Sequence, residues 1–272
     1  MNWETAYDNR RAVSGAEALP GRWAEDAAAF RDTLGTRAER IAYGLGTRQI
    51  VDLFHPLGAA RGLAVFVHGG YWQRNAPELF SHFAAGALGR GWSVAMPGYT
   101  LCPDAQVSAI SIEIGQAIAA AADRVAGSIR LAGHSAGGHL AARAICGAVL
   151  PEPVRARVAG VLSISGLHDL RPLLRTPMND VLRLELATAR AESPALLEPA
   201  IEVPVTAWVG GEELTELRRQ SRVLAEVWGG LGLDTRFVER PGKDHFTVID
   251  GLRDPEAPIV ATWLGLSERH EG

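Results

Sequence analysis

Gly133-His134-Ser135-Ala136-Gly137 decides the reading of this chain. A short apolar run, Ser128 to Ala132, precedes it, and a helix-forming run, His139 to Val149, follows it. The pattern is strand, sharp turn, helix, with a serine at the turn. A serine held in a strained backbone at such a turn tolerates almost no side chain two residues before or after it, which accounts for the glycines at 133 and 137. The strain lifts the hydroxyl clear of the main chain, and the helix N-terminus behind it favours developing negative charge. With 30 glycines in the chain, a bare G-x-S-x-G match carries little weight. Flanked by a strand and a helix, it nominates Ser135 as a nucleophile.

Working outward, the same alternation continues in both directions. Leu63 to Val67 and Trp92 to Met96 are continuous apolar runs, the mark of strands buried on both faces. Further strands are expected at Arg40–Tyr43, Arg48–Phe54, Val158–Ile164, Val205–Val209 and Thr235–Glu239. Helices are expected at Pro77–Arg90, Asp104–Val125, Thr215–Gly229 and Pro255–Leu266. This is an α/β pattern: a mostly parallel, twisted sheet with helices on both faces. Residues 1–38 are polar and alanine-rich, with helices expected at Trp3–Val13 and Pro20–Leu34 lying over the main body. Residues 167–200, punctuated by prolines, read as a short cap-like insertion over the C-terminal edge of the sheet. It has no core of its own, so the whole chain, 1–272, is expected to form a single domain.

Composition narrows the function classes. A chain of 272 residues with 47% hydrophobic and 21% charged residues suits a globular protein with a sizeable core. A net charge of −4 without a basic cluster argues against nucleic acid or an anionic membrane as partner. The two cysteines, Cys102 and Cys146, make no disulfide framework. Met1-Asn2-Trp3-Glu4 lacks the pattern of a secretory signal, and no apolar run approaches the ~18 residues of a spanning helix. A cytoplasmic location and a small-molecule substrate are expected. The chain can act alone or as a homo-oligomer. Neither a metal motif such as H-E-x-x-H or C-x-x-C nor a nucleotide fingerprint occurs, so no cofactor is expected.

A serine hydroxyl needs a base, and histidine, with its pKa near neutrality, is the usual one. Of eight histidines, His245 follows the last expected strand, where α/β proteins carry their sites. The acid that orients it is expected after the Val205–Val209 strand, giving the chain order Ser, acid, His. Gly210-Gly211-Glu212-Glu213 stands there. Either carboxylate can serve, and Glu213 is preferred. Asp244 reads as a loop cap. An oxyanion needs donors, each worth ~10²–10³ in rate. Gly69 and Gly70, after the Leu63–Val67 strand, and the N–H of Ala136 are the candidates. His68 is expected to brace that loop, and His134 and His139 to pack. Tyr71 and Trp72 are expected to form an aromatic wall for a substrate.

These motifs together resemble the α/β-hydrolase superfamily and, within it, the kynurenine formamidase (arylformamidase) branch. The resemblance rests on His68-Gly69-Gly70-Tyr71-Trp72-Gln73, Gly133 to Ala142, Ser165-Gly166-Leu167-His168-Asp169-Leu170, Arg219-Gln220-Ser221 and Asp244-His245-Phe246. It extends to Asn179 and Ser193-Pro194, more weakly to Tyr7–Arg10 and Tyr43–Pro56, and so covers nearly the whole chain. Esterase and lipase relatives commonly carry a third glycine where Tyr71 stands. The family places an aspartate before the R-Q-S segment. Counting back from Ser221 without gaps, this chain has Glu213 there. The resemblance implies hydrolysis of an aryl formamide such as N-formylkynurenine. A carboxylesterase for short acyl esters is the alternative, and a catalytically silent binding module on the same fold the third reading.

Overall fold

The computed structural model describes residues 2–266. Eight strands form one sheet: β1 (Ala38–Ala42), β2 (Ile50–Phe54), β3 (Gly62–Val67), β4 (Ser93–Pro97), β5 (Ser128–His134), β6 (Val158–Ile164), β7 (Val205–Gly210) and β8 (Thr235–Arg240). Their order across the sheet is β1-β2-β4-β3-β5-β6-β7-β8. β2 runs antiparallel to β1 and β4, and the pairings among β3 to β8 are all parallel. All eight strands expected from the sequence are present.

Why the central strands read as unbroken apolar runs is visible in β3. Successive side chains point to opposite faces, and both faces are covered. Leu63, Val65 and Val67 join one core cluster, with Ile110 and Ile114 of the helix Val107–Ala122 and Leu217 and Leu224 of the helix Thr215–Gly230. Ala64 and Phe66 join the other, with Phe80, Phe83 and Trp263. Each large side chain taken fully out of water stabilises the fold by roughly 1.5–3 kcal/mol.

Three local expectations are corrected. Pro77–Arg90 is not one α-helix. Pro77–Ala84 winds as a 3-10 helix and only Ala85–Gly89 is α-helical. Three residues per turn stack positions i and i+3, and Pro77, Phe80 and Phe83 are all buried. The expected helix Trp3–Val13 is mostly turns. Asp8 accepts a hydrogen bond from the Arg11 N–H at 3.1 Å and so begins a single helical turn, Asn9–Ala12. The helix after the serine begins earlier than expected, at Ala136, and ends at Ala144. Within 167–200 lie only short helices. Leu167, Leu170, Leu173 and Leu182 sink into the same core cluster as the sheet face beneath them.

Candidate active site

Five adjacent parallel strands, β3, β5, β6, β7 and β8, end on one edge of the sheet. The loops leaving them carry Gly69 and Gly70, Ser135, Ser165, Glu213 and His245 in turn. Parallel strands present all their C-terminal ends on one side, so residues distant in sequence arrive together.

Ser135 has φ 58° and ψ −120°, a conformation that costs a non-glycine residue roughly 1–3 kcal/mol. Its surroundings hold it there. Its N–H donates to the Ile164 carbonyl at 2.8 Å, and its carbonyl accepts from the His139 N–H at 3.1 Å. A Cβ at Gly133 would collide with the Gly137 carbonyl, and one at Gly137 with the Val67 carbonyl, so the flanking glycines are sterically required.

His245 Nδ1 lies 2.7 Å from Glu213 Oε2. A carboxylate accepts only, so Nδ1 carries the proton and Nε2 is left as an acceptor. Glu213 Oε1 accepts from the Ser165 hydroxyl and from the Gly210 N–H. The Glu213 side chain is wholly buried, whereas Glu212 is exposed. The geometry therefore pairs His245 with Glu213 rather than Glu212. Asp244 accepts from the Phe246 and Thr247 N–H groups at 2.8 and 2.9 Å, the loop cap read from the sequence. No hydrogen bond joins Ser135 Oγ to His245 among the described residues. Both side chains open into one cavity, and such bonds often tighten only around a ligand.

The remaining histidines of the region are neutral braces. Burial lowers the His68 pKa to about 4 and the His139 pKa to about 3. His68 stacks on Tyr99 at 4.4 Å, with Nδ1–H directed at the Gly69 carbonyl at 2.9 Å. Burial, and then the neighbouring His245, push His134 well below its ordinary value. Its Nε2–H donates to the His245 carbonyl at 2.8 Å, so the residue before Ser135 fixes the backbone of His245.

On the other side of the serine, a Cβ at Gly69 would sit 2.9 Å from the Ser135 Cβ and 2.7 Å from the His134 carbonyl. Only glycine lets this loop approach the turn so closely. Asn75 Nδ2 donates to the Gly69 carbonyl at 3.1 Å. Gly70 has φ 126°, and neither its N–H nor that of Ala136 has an acceptor among the described residues. The aromatic wall expected beside them is only half present. Tyr71 lines the cavity. Trp72 does not: it is 0% exposed and meets His139 edge-on at 5.0 Å, because its own positive φ turns it into the core.

The cavity has a volume of about 390 Å³. Its aromatic walls are Trp3, Tyr7, Trp23, Tyr71, Phe80 and Phe246. Half of these come from the N-terminal segment, which the sequence placed only over the main body. The 167–200 insertion contributes Thr176, Pro177 and Met178. The sequence reading quoted Ser165 only within a motif of the resemblance and gave it no role; its φ of 52° and hydroxyl bond to Glu213 place it beside the acid candidate. Asn75 was missed too, since nothing in an Arg-Asn-Ala-Pro stretch announces a loop clamp.

The strand order, the serine turn and the loops around it define an α/β hydrolase, and the chain belongs to the alpha/beta hydrolase family, whose profile matches residues 64–268. Within that family it is similar to kynurenine formamidases. That of Drosophila melanogaster is 30% identical over 238 residues, covering 79% of this chain and 77% of that protein. That of Danio rerio is 26% identical over 223 residues, covering 79% and 76%. A crystal structure from a Silicibacter species, provisionally described as a thioesterase, superposes with a TM-score of 0.93 at 46% identity, covering 97% of this chain and 99% of that one. An esterase of Pyrobaculum calidifontis shares the fold, with a TM-score of 0.68 at 19% identity over 91% of each chain. No helix among the described residues is long and apolar enough to cross a membrane.

Proposed function

We propose that this chain is a serine hydrolase that acts by acyl transfer on an aryl formamide, with N-formylkynurenine as the leading substrate. The observation that carries the reading is the His245–Glu213 pair opening, with Ser135, into an aromatic cavity. Ser135 Oγ attacks the formyl carbon while His245 Nε2 takes its proton. The N–H groups of Gly70 and Ala136 receive the oxyanion, and the imidazolium is stabilised by Glu213. Protonation of the leaving aryl amine by His245 breaks the C–N bond. Water, deprotonated by the same imidazole, then releases formate and restores the serine.

Two features favour an aryl amino-acid substrate. The aromatic walls suit an aryl group. The mouth carries Glu4, Asp8, Arg10 and Arg74, all exposed and of both signs, which suits a zwitterionic head. The similarity to kynurenine formamidases points the same way. The 46% identity to the Silicibacter protein favours a second reading, a thioester or short-chain carboxylester as substrate with the same residues. Rates for N-formylkynurenine, an aryl acetate and an acetyl thioester separate the readings. Higher kcat/KM for the formamide is expected, and a strong preference for either acetyl substrate would overturn the formamidase reading. Ser135→Ala should abolish turnover of all three and labelling by a fluorophosphonate, with little change in melting temperature. Residual labelling would place the nucleophile elsewhere.

A further inference from the structure

The N-terminal segment does more than wall the cavity. Tyr71 directly follows Gly70, an oxyanion candidate whose N–H has no acceptor among the described residues and which adjoins Gly69, packed against the serine turn. Its hydroxyl donates to the Tyr7 carbonyl at 2.6 Å and accepts from Asn9 Nδ2 at 3.0 Å. Tyr7 and Asn9 are both buried, with exposures of 2% and 4%. Tyr7 is in turn pinned from the opposite side. Its own hydroxyl donates to Glu216 Oε2 at 3.0 Å and accepts from Gln220 Nε2 at 3.2 Å. Gln220 Oε1 accepts the His168 and Asp169 N–H groups, each at 2.7 Å. Glu216 lies three residues after Glu213, and His168 three after Ser165. One tyrosine thus bridges the loop beside the oxyanion position and the two loops that hold the acid.

The bridge acts on a backbone that would not hold its shape alone. Gly70, Tyr71 and Trp72 have φ of 126°, 52° and 56° in succession. For the two aromatic residues the left-handed region costs on the order of 1–2 kcal/mol each. Trp72 is fixed by burial. Tyr71 is only half-buried, and its hydroxyl bonds are what tie it down.

We infer that Tyr71 is a positioning residue, and that through Tyr7 and Asn9 the N-terminal segment sets the aim of the Gly70 N–H at the oxyanion. The inference rests on Ser135 being the nucleophile and is indifferent to whether the substrate is a formamide or an ester. A donor that wanders from its line loses strength in the transition state while ground-state binding is little changed.

The test is Tyr71→Phe in the full chain, assayed with an aryl acetate as well as with N-formylkynurenine. Binding of an arylboronic acid, whose serine adduct places an oxygen at the oxyanion position, is measured alongside. The expected result is a roughly tenfold fall in kcat, KM within about twofold, and a boronate Ki raised by the same factor as kcat falls. Asn9→Ala, which strips one of the two bonds, should show the same split at smaller size. It decides the matter if Tyr71→Phe does not fold. Tyr43→Phe is the control: it deletes a hydroxyl bond to the Gly98 carbonyl, 2.8 Å long, outside the cavity, and should lower melting temperature without changing kcat. Wild-type kcat in Tyr71→Phe would overturn the inference. So would KM and boronate Ki rising together, or an equal loss of kcat in Tyr43→Phe. Absence of formamide turnover in the unmodified protein would refute the formamidase reading alone, since the ester arm still reads the split.

Discussion

Replacing Glu213 by glutamine tests the acid with almost no change of shape. The wild-type carboxylate has three donors and no spare surface. Oε2 accepts from His245 Nδ1–H at 2.7 Å, while Oε1 accepts from the Ser165 hydroxyl and, at 2.8 Å, from the Gly210 N–H. An amide must put its NH2 at one of these ends. Facing Gly210, it meets an N–H that cannot turn away, and a buried donor left unpaired costs about 1–3 kcal/mol. Facing His245, it forces the imidazole to move its proton to Nε2, the atom that receives the serine proton in the proposed mechanism. Changing tautomer costs less than stranding a fixed peptide donor, so the second arrangement prevails. The resulting loss in kcat is on the order of 10⁴, which at 1.36 kcal/mol per decade is about 5 kcal/mol of transition-state stabilisation. The assay is steady-state hydrolysis of an aryl acetate and of N-formylkynurenine, with burst kinetics to isolate acylation. KM and melting temperature should change little. Activity within tenfold of wild type would refute the assignment, and Glu212→Gln, at an exposed position, should be silent. Glu213→Asp keeps the charge but withdraws it by one methylene, so its loss should fall between the two.

Ser135→Gly should be inactive yet more stable than the wild type. Relief of the strain at φ 58° is worth roughly 1–3 kcal/mol, against about 0.4–1 kcal/mol of added unfolded-chain entropy, so the melting temperature should rise by about 2–4 °C. A fall would show that the turn is not strained. Acid should destabilise the fold early. Burial puts the pKa of His68 at about 4 and of His139 at about 3, and lowers those of His134 and His168. Below pH ~6.5 the unfolded chain binds protons that the folded chain refuses, so stability present above that pH is lost as pH falls toward 4. Urea unfolding should show a loss of a little over ~1 kcal/mol per ring, on the order of 5 kcal/mol for the four, between pH 7 and 5.5, and a flat profile would show that these rings accept protons in place.

The sheet and the serine turn were legible because their signals are local. Leu63 to Val67 is apolar throughout since both faces of β3 are covered, and Gly133 is required by the Gly137 carbonyl within the same turn, though Gly137 itself is required by the Val67 carbonyl of the neighbouring strand. Glu213 was nearly legible: the strand before it was plain, but the choice against Glu212 depends on which way a two-glycine turn delivers the chain. The N-terminal wall was not legible at all. Trp3, Tyr7 and Trp23 stand singly in a polar stretch with no apolar period. What seats Tyr7 is a hydrogen bond to Glu216, 209 residues away. Trp72 failed for a related reason. Adjacent aromatic residues read alike, and only their backbone angles send one to the cavity and the other to the core.

Those angles point to a wider regularity. Six non-glycine residues among those described have positive φ: Tyr71, Trp72, Asn75, Ser135, Ser165 and Arg183. Five of them, all but Arg183, lie on the three loops that carry Gly69 and Gly70, Ser135, and the Ser165 that bonds Glu213. At about 1–3 kcal/mol apiece, strain on this scale persists only where packing and hydrogen bonds over-determine the backbone. Here they do: the Ser135 N–H is held by Ile164, the Ser165 N–H by Trp208, and the Tyr71 hydroxyl by Tyr7 and Asn9. Local preference and global fold disagree at this one edge of the sheet, and agree through its buried strands. Such conflict is stored where side chains must be aimed, not merely buried, and the sequence hides it because φ, unlike hydrophobicity, leaves its mark only where glycine is the answer.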